Sequence, residues 1–238
     1  MIDTVLFDLD GTLLPMDQDE FVNKYLGLMA KKMAPHGYEP NHLMAAIWAG
    51  ISAMVQNTGE KTNESAFWDD FCHIFGEGAR RDLPLFDEFY AVDFPLVQTV
   101  CGFAPQAAEV VSMLKERGIT VALATNPLFP AMATRHRIRW AGLEPEDFAV
   151  VTTYENSTYC KPNPDYYREV LARLGKRPEQ CLMVGNDVGE DMIPAKCLGM
   201  EVFLLTDCLI NKKGLDIGRY PHGGFDALEQ FLKERTDK

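Results

Sequence analysis

TVLFDLDGTL, residues 4–13, runs a short apolar stretch into two aspartates and a glycine. The apolar residues are contiguous rather than alternating. That predicts a buried strand of a parallel sheet over residues 4–9, with its polar groups at the C-terminal end. A strand sets residues i and i+2 on one side, so the carboxylates of Asp8 and Asp10 are expected together. Left alone they repel, and one takes up a proton. A divalent cation removes that conflict, and oxygen ligands of this kind favour Mg2+. Gly11 permits the tight turn that follows.

Further strands are expected at 119–124, 148–153, 180–184 and 201–205. Helical patterns lie between them at 105–117, 163–174 and 188–198, each followed by a glycine: Gly118, Gly175 and Gly199. Strands alternating with helices imply βαβ units and a doubly wound parallel sheet, an α/β fold of the Rossmann-like type. The stretch from about 16 to 95 breaks the rhythm. Its segments FVNKYLGLMAKKMA, NHLMAAIWAGISAMVQ and ESAFWDDFCHIFG carry apolar residues at helical spacing, and no strand is read there. Such a length far exceeds a strand-to-helix loop. The expectation is an α/β core made of 1–15 and 97–238, with an all-helical domain, 16–96, inserted between them. Its apolar faces are expected to pack mainly on each other, with Trp48, Phe67 and Trp68 in its core. Pro15 and the region from Pro95 to Pro105 are candidate hinges.

The 238 residues carry a formal net charge of −12, with 47% hydrophobic and 24% charged residues. A chain this acidic lacks the basic footprint a nucleic acid requires. No run approaches a membrane span, and the N-terminus lacks the features of a signal peptide, so a cytoplasmic protein is expected. The six cysteines form no CxxC pair and are expected to be reduced thiols rather than a disulfide framework or zinc site. His36 and His42 are expected at the surface.

Three further signals follow strands. In Ala124-Thr125-Asn126, a hydroxyl at a strand end can bind a phosphate oxygen, helped by the backbone N–H groups that follow; the same hydroxyl also suits a helix cap. In Cys160-Lys161-Pro162-Asn163-Pro164, a lysine is held just before a helix. In Val184-Gly185-Asn186-Asp187-Val188-Gly189-Glu190-Asp191, acids cluster where a helix begins, a position that also favours them through the helix dipole.

Together these four segments resemble the haloacid dehalogenase superfamily of hydrolases, and specifically its phosphatases with a C1-type helical cap. Val5 to Thr12 match the first motif, hhhDxDGT, in full. The resemblance implies that Asp8 is the nucleophile and Asp10 the general acid and base. It makes Thr125 the phosphate-binding hydroxyl, with Asn126 a helper, and Lys161 the charge that balances nucleophile and phosphate. It implies Mg2+ held by Asp8, the Asp10 backbone carbonyl and an acid of the fourth motif. Here the chain departs from the pattern, since Asn186 stands directly after the glycine. Asp187 and Asp191 keep a DxxxD spacing, so Asp187 is the expected ligand, Asn186 the alternative, and Asp191 a support for metal-bound water or Lys161.

The activity implied is Mg2+-dependent hydrolysis of a small phosphorylated metabolite by a monomer or homodimer, through an aspartyl-phosphate on Asp8. A sugar phosphomutase shares these motifs. A phosphonate hydrolase needs a Schiff-base lysine in the cap, where Lys24, Lys31, Lys32 and Lys61 are available. A dehalogenase proper usually lacks the second aspartate. A non-catalytic binding protein on this fold is expected to have lost Asp8, Asp10 or Lys161, and all three are present.

Overall fold

A computed structural model describes residues 2–236. Five parallel strands form one sheet in the order β2-β1-β3-β4-β5. They are β1 (Thr4–Phe7), β2 (Thr120–Leu123), β3 (Cys181–Gly185), β4 (Glu201–Leu205) and β5 (His222–Gly223). The contiguous apolar run of β1 is explained by burial on both faces. Val5 and Phe7 join one hydrophobic cluster and Leu6 the other. Helices α5 (Pro105–Glu116) and α9 (Phe225–Thr236) bury Val110, Leu114, Leu228 and Leu232 in the first cluster. Helices α7 (Pro164–Leu174) and α8 (Ile193–Cys197) bury Tyr166, Val170 and Ala195 in the second. The α/β doubly wound core is thus as expected.

Residues 148–153 depart from the expected strand. They run beside β2, with Leu123 donating to the Val150 carbonyl at 2.8 Å and Ala149 to that of Val121 at 2.8 Å, but only a Leu123–Val151 bridge forms. β5 carries no apolar run and was not foreseen.

Between β1 and α5 the chain forms helices joined by turns and loops, with no strand. α1 (Gln18–Met33), α2 (Pro40–Val55) and α3 (Asn63–Phe75) match the three periodic segments, and α4 (Leu83–Glu88) follows among short 3-10 and π turns. Asp17 caps α1 by accepting from Glu20 N–H at 2.9 Å, and Thr62 caps α3 by accepting from Ser65 N–H at 3.2 Å. The two crossings into this cap lie side by side. Met16 bridges Cys101, and Gly102 N–H donates to the Pro15 carbonyl at 2.7 Å. The expected boundary at 96–97 falls within the 3-10 segment Phe94–Val100, just before that crossing.

The apolar faces of the cap helices pack largely on each other, as in the ring cluster of Tyr38, Trp68, Phe71 and Phe86, but not exclusively so. The cap's apolar residues form one continuous cluster with the core. Phe21 and Tyr25 of α1 pack on Phe129 of the core with ring centroids 6.1 Å and 5.4 Å apart. Trp68 is buried and Phe67 half-buried, whereas Trp48 is 51% exposed. His36 and His42 are exposed, as expected. All six cysteines are unpaired; Cys72, Cys160 and Cys181 are buried, Cys101 and Cys208 half-buried, and Cys197 exposed. Among the described residues no helix is long and apolar enough to cross a membrane.

Candidate active site

The four motifs meet beyond the C-terminal ends of β1, β2 and β3, the edge of an open parallel sheet where ligands bind. Asp8 continues the β1 ladder, its N–H donating to the Val184 carbonyl at 2.9 Å. The chain then turns sharply. Gly11 has φ 80°, and its N–H donates to the Leu14 carbonyl at 2.8 Å. A side chain at Gly11 would collide with the Asn186 amide, so this glycine is required for space as well as for its dihedral.

Asp8 is 7% exposed and engaged at both oxygens. Oδ1 accepts from Lys161 Nζ at 2.8 Å, and Oδ2 lies 3.2 Å from the Thr12 hydroxyl. The ammonium of Lys161, 1% exposed, also donates to Asp191 Oδ1 at 2.7 Å. Burial disfavours that ammonium, but the charges of Asp191 and Asp8 overcome it and hold Lys161 well above its ordinary pKa. Asp191 Oδ2 accepts from Asp187 N–H at 3.0 Å and fills the space that a side chain at Gly185 would need. Burial pushes the Asp191 carboxyl upward, with Lys161 opposing.

Asp10 has its own cation. Its Oδ2 pairs with Nη1 of Arg137, a fully buried residue on α6 (Ala131–Trp140). Arg137 also donates from Nη2 to the Thr134 hydroxyl at 3.2 Å and lies 4.3 Å from the centroid of the Phe129 ring. Asp10 Oδ1 is buried without a partner. Burial raises the Asp10 pKa, Arg137 lowers it, and nearby Asp8 adds to the rise. The repulsion expected between the two aspartates is therefore met here by two buried cations.

Thr125 is buried, and its carbonyl accepts from the Thr152 hydroxyl at 2.6 Å and the Tyr166 hydroxyl at 2.8 Å. Asn126 is a strut between motifs. Its Oδ1 accepts from Lys161 N–H at 3.2 Å, and its Nδ2 donates to Glu190 Oε2 at 3.0 Å. Asp187 turns Oδ1 into its own chain, accepting from Gly189 N–H at 2.6 Å and Glu190 N–H at 3.0 Å. It is Asn186 that reaches toward Asp8. Its Nδ2 donates to the Cys208 carbonyl at 2.7 Å, which aims Oδ1 at the Thr12 hydroxyl 3.1 Å away, the same hydroxyl that meets Asp8.

Among the described residues no three His, Cys, Asp or Glu side chains form a ready metal cluster. The oxygens gathered around Thr12 nevertheless suit a hard cation: one carboxylate and one amide oxygen. Sequence reasoning missed Arg137, Thr12 and Glu190. Arg137 was discoverable: it lies four residues from both Ala133 and Ala141, on the face of α6 that turns inward.

A family model for haloacid dehalogenase-like hydrolases matches residues 2–199. The chain belongs to that family. It is 26% identical to ribulose-1,5-bisphosphate 5-phosphatase of Halopiger xanaduensis over 210 residues, covering 86% of this chain and 84% of that protein. It is 26% identical to pyrophosphatase PpaX of Bacillus cereus over 237 residues, covering 99% and 97%. The crystal structure of 2-haloacid dehalogenase from Pseudomonas syringae pv. Tomato has a similar fold, with TM-score 0.66, 20% identity, and coverage of 99% of this chain and 100% of that one.

Proposed function

We propose that this hydrolase is an Mg2+-dependent phosphatase that moves the phosphoryl group of a small phosphorylated metabolite to Asp8 and then to water. The observation that carries the reading is the buried Lys161 ammonium, held between Asp8 and Asp191 at the sheet edge. It neutralises a carboxylate that must approach an anionic phosphate. Asp8 attacks phosphorus, the bond to the leaving oxygen breaks, and Asp10 protonates that oxygen. Asp10 then takes a proton from water as the water oxygen attacks phosphorus and the bond to Asp8 breaks. Burial, which raises the Asp10 pKa, favours the proton-bearing form the first step needs. The Thr125 hydroxyl and the N–H groups after it receive phosphate oxygens. Mg2+, when bound, supplies charge neutralisation for the phosphate. Asp8, the Asp10 carbonyl and the Asn186 amide oxygen would hold it. Asn186 is preferred to Asp187 because its Oδ1 meets the same Thr12 hydroxyl as Asp8, whereas Asp187 Oδ1 accepts from two N–H groups of its own chain.

We take 16–96 as the cap over this site, 1–15 and 97–238 as the core, and the whole as a cytoplasmic monomer or homodimer. A phosphonate-hydrolase reading is disfavoured by the cap lysines. Lys24 and Lys31 are exposed, Lys32 pairs with Glu88 at 2.6 Å and Lys61 with Asp69 at 2.7 Å.

The test is hydrolysis of p-nitrophenyl phosphate with Mg2+. Activity is expected to vanish with chelator and to fall by ~10⁴-fold or more in Asp8→Asn, as on removing other enzymic nucleophiles. Metal-independent turnover that survives in Asp8→Asn defeats the proposal.

A further inference from the structure

A cavity of about 130 Å³ lies between the cap and the loop that follows Thr125-Asn126. α1, α2 and α3 supply Met29, Trp48, Ile51 and Trp68, and the core supplies Leu128 and Phe129. No Lys, Arg, His, Asp or Glu lines it. Its polar atoms come from tyrosine hydroxyls and indole N–H groups. The Tyr25 and Tyr90 hydroxyls bond each other at 2.9 Å. The buried Trp68 indole N–H neighbours the Tyr154 hydroxyl, which also lines the cavity.

One residue links the cavity to the chemistry. Phe129 both lines it and stacks with the Arg137 guanidinium, which is itself paired to Asp10. Asp10 is the residue proposed to protonate the leaving oxygen, so the carbon behind that oxygen belongs on this side of the site. The half-exposed Trp48 forms the outer wall.

We propose that this cavity receives the leaving group, and that the substrate is a phosphomonoester of a compact apolar alcohol, up to about the size of a six-carbon ring. The inference rests on the phosphatase reading and adds the substrate class. An apolar cavity of about 150 Å³ stays dry and takes up benzene, so the volume here sets that upper size. A second phosphate meets no free cation there. Both buried cations near the site, Lys161 and Arg137, are already committed to carboxylates. The sugar-phosphomutase alternative, which requires a place for a distal phosphate, is disfavoured on the same ground.

The experiment measures kcat/KM with Mg2+ for methyl, butyl, hexyl, octyl and benzyl phosphate, and for pyrophosphate and ribulose 1,5-bisphosphate. The expected profile rises roughly fourfold per methylene up to about six carbons, then levels or falls, with the two polyanions far below benzyl phosphate. Ile51→Trp, which fills the cavity, is expected to lower the benzyl-to-methyl ratio at least tenfold; the ratio is insensitive to how much of the variant folds. A flat profile, a preference for the polyanions, or an unchanged ratio in Ile51→Trp overturns the pocket while leaving a phosphatase. Hydrolysis of none of these compounds overturns the phosphatase reading and the pocket with it.

Discussion

Arg137 holds a full positive charge at 0% exposure, and Asp10, whose side chain is 19% exposed, is its carboxylate partner. Removing one member of a buried pair strands the other, at about 3–5 kcal/mol. Arg137→Met is therefore expected to destabilise the protein by about that much in urea unfolding, near the lower end because Asp10 retains some water. Asp10→Asn placed in the same chain is expected to restore most of the loss. Glu190 yields a pH prediction. Burial, chiefly, raises its pKa, Asp187 and Asp8 add to the rise, and Lys161 and Asn126 oppose it. A carboxyl raised in the folded state contributes stability below the ordinary glutamate pKa of about 4.3, and loses it as pH climbs through the raised value. Glu190→Gln keeps an oxygen for Asn126 and removes the titration. Its Tm relative to the parent, without metal, is expected to grow between about pH 4 and pH 7; a constant difference refutes the assignment. Asp8 and Lys161 were legible in the sequence because each sits in a distinctive local pattern. The Asn126 strut was not: its partners, Lys161 and Glu190, lie 35 and 64 residues away, and strand-end spacing says nothing about side-chain hydrogen bonds.

The N-terminus of α3 joins cap to core. A helix start leaves its first N–H groups without partners inside the helix. Here Asn63 N–H donates to the Ser157 carbonyl at 2.8 Å and Glu64 N–H to that of Tyr154 at 2.9 Å. The buried Asn63 amide reaches the Tyr159 carbonyl at 3.2 Å and Cys160 Sγ at 3.2 Å, and its Oδ1 accepts from Asn57 at 2.9 Å. These contacts stand one residue from Lys161. Asn63→Ala leaves several buried groups unsatisfied, at about 1–3 kcal/mol. That corresponds to a Tm lower by ~2–4 °C per kcal/mol, and kcat is expected to fall along with it. Both remaining unchanged refutes the joint. α1, α2 and α3 could be read from periodicity because each buries one face. Residues 148–153 misled because their apolar run is real, yet they pair on one side only, against β2. Turns after 76 escaped notice because the 3-10 and π segments there repeat at neither helical nor strand spacing.

At the scale of the molecule, the net charge of −12 opposes the approach of a phosphate dianion. Adding KCl shortens the screening length from about 30 Å at 0.01 M to about 8 Å at 0.15 M. kcat/KM toward a dianionic ester is expected to rise over that range, and a fall shows that the site's own positive field outweighs the rest. The alternation of strand and helix gave away the core's architecture, and the long strandless interval gave away the insertion. What stayed hidden was their fusion into one apolar cluster, since periodicity marks a face as buried without naming what covers it. The irregular 148–153 segment has a last consequence. It occupies the outer side of β2, while the opposite margin ends in the two-residue β5. Open strand margins are templates on which unfolded copies pair. With one margin covered and the other cut short, little is left for a neighbouring copy to zip onto, which protects the chain from misassembly in crowded surroundings.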